Sequence, residues 1–304
     1  MERDFSFQKL SSFLLKVFAM IFMVVDHVGI FLNAYAAGNE AMYNAAHICR
    51  LLGRIAFPLF IFMLSEGMRF THDPKKYLLR LSYIWLPMIV AQTIDCYALN
   101  NQFGIGYFAN PFTDLLCVGA TLWMLRNKGA KKLYALIPAG YVILSYILNV
   151  YEHANNVTIH WLPALYRCDY SIFGLALGVG FFYGRDVVYL IGKKTLADMG
   201  ISRDVFEESS QGRSVINAYN SVVLFVVNAA LWGISFIGAT ANRSPFDPFY
   251  MSTFQAWSLL AMPFLLLYNG RRGYDSKWFR VFSYLFFVVH LVLIFAIFRV
   301  SFGY

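Results

Sequence analysis

Hydrophobic residues gather into nine long runs along the chain, and short polar segments separate them. The runs lie near residues 13–36, 50–69, 77–98, 110–126, 133–151, 168–190, 215–240, 249–268 and 278–301. A helix needs about 20 mostly apolar residues to cross the hydrocarbon core of a bilayer, and the runs lack the alternation that is typical of membrane β-strands. The pattern therefore predicts an all-α polytopic membrane bundle with about nine transmembrane helices.

Composition agrees with a membrane protein. Hydrophobic residues make up 59% of the 304-residue chain, charged residues only 14%, and the mean hydropathy is +0.54. These values exclude a soluble globular domain and a disordered chain. We expect one integral membrane domain over residues 1–304, with 191–214 as a cytoplasmic loop insertion that carries one or two short capped helices starting near Thr195 and Ser202.

Basic residues predict the orientation. If the N-terminus is cytoplasmic, 20 of the 25 Lys and Arg residues fall on the inner side. The positive-inside rule then predicts N-in/C-out topology and an uncleaved first span. The net charge of +8 is explained by this bias and by the anionic surface of the lipid bilayer, so nucleic acid is not an expected partner.

The four cysteines permit two interpretations. They are Cys49, Cys96, Cys117 and Cys168, each near the predicted outer end of a span. Disulfides can form on that side, but cysteine is also a common small apolar helix residue. The sequence has no Cys-x-x-Cys or His-x-x-x-His pair, so no metal site is predicted.

Ionisable residues inside the runs are the main functional candidates, because a charge in the bilayer core costs at least about 2.5–3.5 kcal/mol. They are Asp26, His27, Arg54, Glu66, Asp95, Asp114, Asp169 and His290. Alternating span directions place Asp26, His27, Arg54, Asp95, Asp114 and Asp169 in one outer-half layer. Glu66 is expected near the inner surface and His290 near mid-membrane.

This layer also permits two interpretations. A histidine beside an aspartate in a buried layer has the features of an oriented general base, which would make His27 catalytic. Alternatively, the charges form structural ion pairs in which Arg54 neutralises Asp26 or Asp169.

The spacing of Lys16 and His27 adds a geometric argument. Eleven helical residues return a side chain to the same face about 16 Å further along the axis. An acyl-CoA would fit this span, with its phosphates at the inner mouth and its thioester near His27. The simpler interpretation is that Lys16 is one more positive-inside residue.

Several motifs, in order along the chain, resemble the TraX family of membrane acetyltransferases. They are Leu15-Lys16, Ala19-Met20 and Asp26-His27-Val28-Gly29, then Gly53-Arg54-Ile55-Ala56-Phe57-Pro58-Leu59-Phe60, Ser65-Glu66-Gly67 and residues 75–81, then Asp169-Tyr170 with Gly174, Tyr268-Asn269-Gly270-Arg271-Arg272-Gly273 and His290-Leu291. The Lys16-x10-His27 spacing is also similar to the Arg-x10-His motif of bacterial membrane O-acyltransferases. Asp114 falls where the family pattern has an uncharged residue.

The resemblance implies an acetyltransferase in the bacterial cytoplasmic membrane. The family's named activity is N-terminal acetylation of conjugative pilin, so acetyl-CoA is the expected co-substrate, with no metal. The acceptor is left open as an amine or hydroxyl of a peptide N-terminus, a glycan or a small molecule.

Residue roles follow from this interpretation. His27 is expected to act as general base or transient acyl carrier, Asp26 or Asp169 to orient it, and Arg54 to stabilise the oxyanion or pair with a carboxylate. The donor phosphates would bind the cationic residues Lys16, Arg271 and Arg272, and the flanking Gly270 and Gly273 would let the backbone approach the anion closely.

Two other function classes remain open. A proton-coupled or small-solute transporter would use Asp26, His27, Asp95 and Asp169 as a relay. A structural partner in a surface-appendage assembly would have no dependence on acetyl-CoA.

Overall fold

A computed structural model describes residues 7–36, 38–101, 109–240 and 254–302, apart from the side chains of 237–240. Its α-helices are α1 (Ser12–Tyr35), α2 (Glu40–Gly53), α3 (Ala56–Phe70), α4 (Pro74–Tyr97), α5 (Pro111–Leu125), α6 (Leu136–Asn155), α7 (Ser171–Asp198), α8 (Arg203–Glu208), α9 (Ser210–Thr240), α10 (Met262–Leu266) and α11 (Lys277–Phe302). Short 3-10 helices cover Gly129–Ala135, Ala164–Tyr166 and Phe254–Ala261. The described part of the chain contains no β-strand, so the predicted all-α class is confirmed.

Seven helical stretches in the described ranges are long and apolar enough to cross a membrane. They are Ser12–Tyr35, Glu40–Phe70, Pro74–Tyr97, Gly129–Asn155, Ala164–Asp198, Ser210–Phe236 and Lys277–Phe302. The two other predicted runs form the shorter apolar helices Pro111–Leu125 and Phe254–Leu266. The chain is therefore a multi-pass helical membrane protein, while helix length by itself supports seven spans rather than nine.

The second predicted run begins earlier than expected. Helix α2 starts at Glu40, ten residues before the predicted boundary, and a turn at Arg54 and Ile55 separates it from α3. Hydropathy alone missed this start because residues 40–49 are of mixed polarity. They are helical because they pack antiparallel against the second half of α1.

The shorter helix α5 runs antiparallel to α4. The indole nitrogen of Trp85 donates to the hydroxyl of Thr113 (2.9 Å), and the amide of Asn110 donates to that of Gln92 (3.2 Å). Both pairs lie where the beginning of α5 meets the second half of α4. Helix α5 therefore reverses the chain direction as a membrane-crossing segment would.

The apolar segment 254–266 packs antiparallel to α9, as α5 does to α4. The hydroxyl of Ser258 donates to the amide oxygen of Asn228 (3.0 Å), and further along, Asn217 donates to the carbonyl of Tyr268 (2.7 Å). As the segment advances along the sequence, it contacts earlier residues of α9. The two are antiparallel.

The first and last long helices lie side by side and run in parallel. Phe13 contacts Phe279 near their starts (4.6 Å between ring centroids), and Tyr35 stacks on Phe302 near their ends (5.3 Å). If both helices cross the bilayer, the start of α1 and the end of α11 lie on opposite sides. The number of membrane crossings from α1 to α11, counting both helices, is then odd.

The region predicted as a loop insertion is largely helical. Helix α7 continues through Thr195 to Asp198, so the helix start expected at Thr195 is wrong; Gly200, with φ of 68°, follows the helix. The second expected start is confirmed, because Ser202 accepts the backbone N–H of Val205 (3.5 Å) and begins α8.

Ion pairs hold α8 against α7. Arg203 donates to Asp186 (2.7 Å) and to Glu207 (2.6 Å), and Arg185 donates to Glu207 (3.2 Å) and Glu66 (2.7 Å). Burial opposes ionisation of Glu207, but the hydrogen bond from Arg203 and the charge of Arg185 outweigh it and lower its pKa below the usual value. Segment 191–214 is thus anchored to the bundle.

The four cysteines are free thiols in the structure. Cys168 is fully buried, while Cys49, Cys96 and Cys117 are partly buried. This supports their interpretation as small apolar residues of the packed bundle.

Glycine brings α1 and α2 into close contact. A Cβ on Gly53 would lie 2.3 Å from a carboxylate oxygen of Asp26, and one on Gly29 would lie 2.9 Å from the carbonyl of Ala46. Small residues allow such close approach of membrane helices, where packing rather than the hydrophobic effect drives association.

We predict that Gly53→Ala destabilises the bundle by about 1–3 kcal/mol, because the added methyl group must displace Asp26 from the α1–α2 interface. Gly140→Ala on α6 is the matched control, since a Cβ there meets no atom within 4 Å. Thermal unfolding in detergent should show a lower midpoint for Gly53→Ala only. Equal midpoints for the two variants would contradict the close packing.

Candidate functional site

A buried carboxylate between two arginines forms the centre of the predicted polar layer. Arg50 donates to one oxygen of Asp26 and Arg54 to the other, both at 2.5 Å. Asp26 and Arg54 are buried, and Arg54 also reaches the hydroxyl of Tyr170 (3.4 Å). The structure brings Asp26 and Arg54 together as expected for a structural ion pair. Arg50, which the sequence analysis did not single out, completes the cluster.

Asp114 has a structural role that the sequence did not reveal. It is fully buried, and its two oxygens accept the backbone N–H groups of Asp169 (2.7 Å), Tyr170 (3.1 Å) and Ser171 (2.7 Å). These donors are the otherwise unpaired N–H groups at the start of α7, where a negative charge is favourable. Asp114 therefore caps α7 from α5.

Asp169 is a further carboxylic acid near the two arginines. It is partly buried, and the charges of Arg54 and Arg50 act on it. Its carboxylate makes no hydrogen bond or ion pair with the residues that the structure describes. Within the described residues, Asp26 is therefore the carboxylate that pairs with the two arginines.

His27 faces away from this layer. Its Nδ1 lies 2.8 Å from the carbonyl oxygen of Met23 and 3.0 Å from Nε2 of His290. Adjacent residues of a helix point about 100° apart, so Asp26 faces α2 while His27 faces α11. The expectation that Asp26 or Asp169 orients the His27 ring is not met, because Nδ1 contacts neither carboxylate.

His290 is buried beside His27 in an aromatic environment. Its Nδ1 lies 2.7 Å from the carbonyl oxygen of Phe286, and its ring stacks on that of Phe286. Phe287 presents its ring at a steep angle to both histidines, with centroids 6.0 Å from His27 and 5.5 Å from His290. The sequence placed both histidines deep in the membrane, but nothing in it indicated that they touch.

The three predicted phosphate-binding residues all lie near the start of α1. Lys16 lies in the first turns of this helix and is partly buried. The backbone carbonyl of Arg271 accepts the N–H of Ser12 (2.9 Å), and that of Arg272 accepts the N–H of Phe13 (3.0 Å). The loop 268–273 thus caps α1 and brings both arginines to the same end as Lys16.

The glycines of this loop serve chain packing rather than the anion approach expected from sequence. Both have positive φ, 74° at Gly270 and 71° at Gly273. A Cβ at Gly270 would lie 2.4 Å from the guanidinium carbon of Arg213, and one at Gly273 would lie 2.3 Å from the hydroxyl of Ser11. Close approach here is to the protein's own chain.

The side chains of the loop arginines remain exposed. Arg272 lies 3.7 Å from Asp275, with 83% of its side chain exposed, so this ion pair is weak. Arg271 makes no ion pair within the described residues. Both guanidinium groups are accessible to an anionic ligand.

Of the remaining ionisable residues, Asp95 is buried on α4, and Glu66 pairs with Arg185 at 2.7 Å. Glu66 lies towards the end of α3, whose beginning lies beside Arg54 and the cluster around Asp26. It therefore sits at the opposite end of α3 from Asp26, while its expected place near the inner surface stays a prediction.

Comparisons with curated proteins and with solved structures gave no match. In the comparison with protein families, residues 11–188 match the family described as TraX protein. The matched range includes Lys16, Asp26, His27, Arg54 and Asp169, and it ends before Arg271, Arg272 and His290. Because it covers more than half of the chain, the protein belongs to the TraX family.

Proposed function

We propose that the protein is a membrane acetyltransferase that moves acetyl from cytoplasmic acetyl-CoA to an amine or hydroxyl acceptor at the membrane or outer side. The observation that carries the proposal is the arrangement along α1. His27 lies inside the bundle about 16 Å from Lys16 on the same helix face, and Arg271 and Arg272 gather at the Lys16 end. Membership of the TraX family is compatible with this role.

In this mechanism His27 acts as the base. The acceptor nitrogen or oxygen attacks the thioester carbonyl carbon, and Nε2 of His27 takes the acceptor proton as the new bond forms. The tetrahedral intermediate then expels the CoA thiolate, which takes the proton from His27. The acetylated product and free CoA leave the imidazole neutral for the next cycle.

The outer charges support this step without touching His27 Nδ1. We assign Arg54 and Arg50 to holding Asp26 against α2, which fixes the direction in which His27 faces. Asp169 has no partner in the described structure, so we assign it to the acceptor side, where a carboxylate could bind an incoming amine.

Lys16, Arg271 and Arg272 would bind the donor phosphates. The exposed guanidinium forks can each bind phosphate oxygens in a bidentate manner, and Lys16 adds a point charge closer to the interior. The CoA arm would then extend between α1 and its neighbours towards His27.

We further propose nine crossings with the N-terminus inside and the C-terminus outside, in the bacterial cytoplasmic membrane. The antiparallel packing of α5 and of segment 254–266 against their neighbours supports two short crossings beside the seven long ones. The parallel pair α1 and α11 requires an odd number, and the excess of basic residues on one side supports N-in.

The orientation predicts accessible labelling sites on either side of α6. In a variant without the four native cysteines, His160→Cys should react with an impermeant maleimide in intact cells, whereas Ala130→Cys should react only after permeabilisation. Both positions are exposed and flank the same helix, so each is the control for the other. Labelling in the opposite sense would refute N-in/C-out.

We predict that His27→Ala lowers acetyl transfer by about 10² or more, because the acceptor proton loses its base. Turnover of acetyl-CoA by the purified protein, measured as thiol release with candidate amine and hydroxyl acceptors, provides the assay. His160→Ala, at an exposed site outside the helices, is the control and should keep full activity. A His27→Ala variant with near-normal turnover would remove His27 from the mechanism.

Binding of acetyl-CoA tests directly whether the protein belongs to the proposed functional class, the acetyltransferases. Isothermal titration with acetyl-CoA should show binding to the parent protein, whereas a transporter of another solute or an assembly partner should show none. The double variant Arg271→Lys with Arg272→Lys keeps the positive charge but loses the two planar guanidinium groups. Its binding of acetyl-CoA should therefore weaken by about 1.5–3 kcal/mol per lost contact, and added salt should weaken it further. His27→Ala is the control, because it should bind acetyl-CoA normally.

If the double Lys variant binds as tightly as the parent across a salt series, Arg271 and Arg272 act only as topology signals. Absence of binding to the parent itself would refute the acetyltransferase proposal.

A further inference from the structure

We infer that His290 is a positioning residue that shares the Nδ1–H of His27 with the Met23 carbonyl, holds the ring in that tautomer and leaves Nε2 of His27 as the basic atom. This inference rests on the proposed function for its catalytic consequence. The hydrogen-bonding geometry on which it stands is independent of any ligand.

The carbonyl contacts determine which nitrogens carry hydrogen. Nδ1 of His27 lies 2.8 Å from the carbonyl oxygen of Met23, and Nδ1 of His290 lies 2.7 Å from that of Phe286. A carbonyl oxygen only accepts, so each Nδ1 must donate. Both rings are then Nδ1–H tautomers when neutral, and both Nε2 atoms carry a lone pair.

The contact between the rings follows from this assignment. Nε2 of His290 lies 3.0 Å from Nδ1 of His27 and accepts from it, so the Nδ1–H of His27 is shared between His290 and the Met23 carbonyl. A protonated His290 would direct an N–H at another N–H, which the geometry disfavours. A neutral His290 is therefore the form that fits.

The arrangement gives His290 the orienting role that a carboxylate has in other histidine bases. A partner on one ring nitrogen selects the tautomer and presents the other nitrogen to the reaction. Here Asp26 already pairs with Arg50 and Arg54. A neutral acceptor performs the same task without adding a charge to the membrane interior, where an unpaired charge is costly.

Packing makes His290 a rigid partner. It is 4% exposed, and its ring lies nearly parallel to that of Phe286, with an angle of 11° between the planes. Phe287 fills the space beside both histidines and packs in turn against Phe112 of α5 (4.5 Å between ring centroids). The acceptor nitrogen is thereby held at a fixed place relative to His27.

The tautomer can be read directly by nitrogen-15 NMR of histidine-labelled protein in a detergent or nanodisc, with His27→Ala and His290→Phe used to assign the signals. The parent protein should show His27 with hydrogen on Nδ1 and an unprotonated Nε2 when the ring is neutral. A neutral His27 with hydrogen on Nε2 would overturn the inference, whatever the enzyme's activity.

Kinetics of two His290 variants separate a positioning role from simple packing. His290→Gln can place an amide oxygen near the position of the accepting Nε2, whereas His290→Phe keeps an aromatic ring but has no acceptor. We expect His290→Phe to lower kcat about 10-fold to 100-fold with little change in KM for acetyl-CoA, by analogy with the loss seen when the hydrogen-bond partner of a metal-binding histidine is removed. His290→Gln should recover most of kcat.

Full activity in His290→Phe, or equal loss in both variants, would refute the positioning role. If His290→Phe fails to fold, nitrogen-15 coupling across the hydrogen bond from Nδ1 of His27 to Nε2 of His290 in the parent protein still decides, because its absence would remove His290 as the acceptor. If the parent protein transfers no acetyl group, the proposed function fails, while the tautomer measurement continues to test the contact between His27 and His290.

Discussion

The ion pair of Asp26 with Arg50 and Arg54 is the interaction on which the rest of the site depends. A lone charge at this depth would cost at least about 2.5–3.5 kcal/mol, so Asp26 is held where two guanidinium groups meet it at 2.5 Å. Because Gly53 admits the carboxylate so closely, α1 has little freedom to rotate against α2. Fixing the direction of Asp26 also fixes that of His27, about 100° further round the helix. A group that makes no hydrogen bond to His27 thus decides that His27 faces α11.

Much of the bundle follows from the sequence by simple physics. Backbone groups must be satisfied inside a bilayer, so long apolar runs become helices, and the fixed rise per residue converts sequence position into depth. That is why Arg54 was correctly placed beside Asp26, and Asp114 at the depth of Asp169. Arg50 was missed because hydropathy placed the start of the second run at residue 50, whereas helical packing on α1 extends it back to Glu40.

The remaining features depend on which helices become neighbours, and periodicity does not encode that. The contact of His27 with His290 joins residues 263 positions apart and exists only because α1 and α11 are adjacent and parallel. Likewise, the sequence shows that Gly270 and Gly273 permit close approach but not what approaches. The structure shows Arg213 and Ser11 there, so the same glycine pattern that suggested an anion site mainly builds the cap of α1.

The parallel pair of helices connects the two ends of the proposed site. Lys16 lies over the ring of Phe279 (5.7 Å), and His27 contacts His290, so the partners on both helices are eleven residues apart. Eleven residues make nearly a whole number of helical turns, and the same faces therefore meet again about 16 Å further along. A ligand bound at the Lys16 end could therefore extend along the continuous interface between α1 and α11 towards the histidines. Since this interface is built from two rigid helices rather than loops, the distance between the proposed phosphate site and the proposed base is set by the helical rise itself.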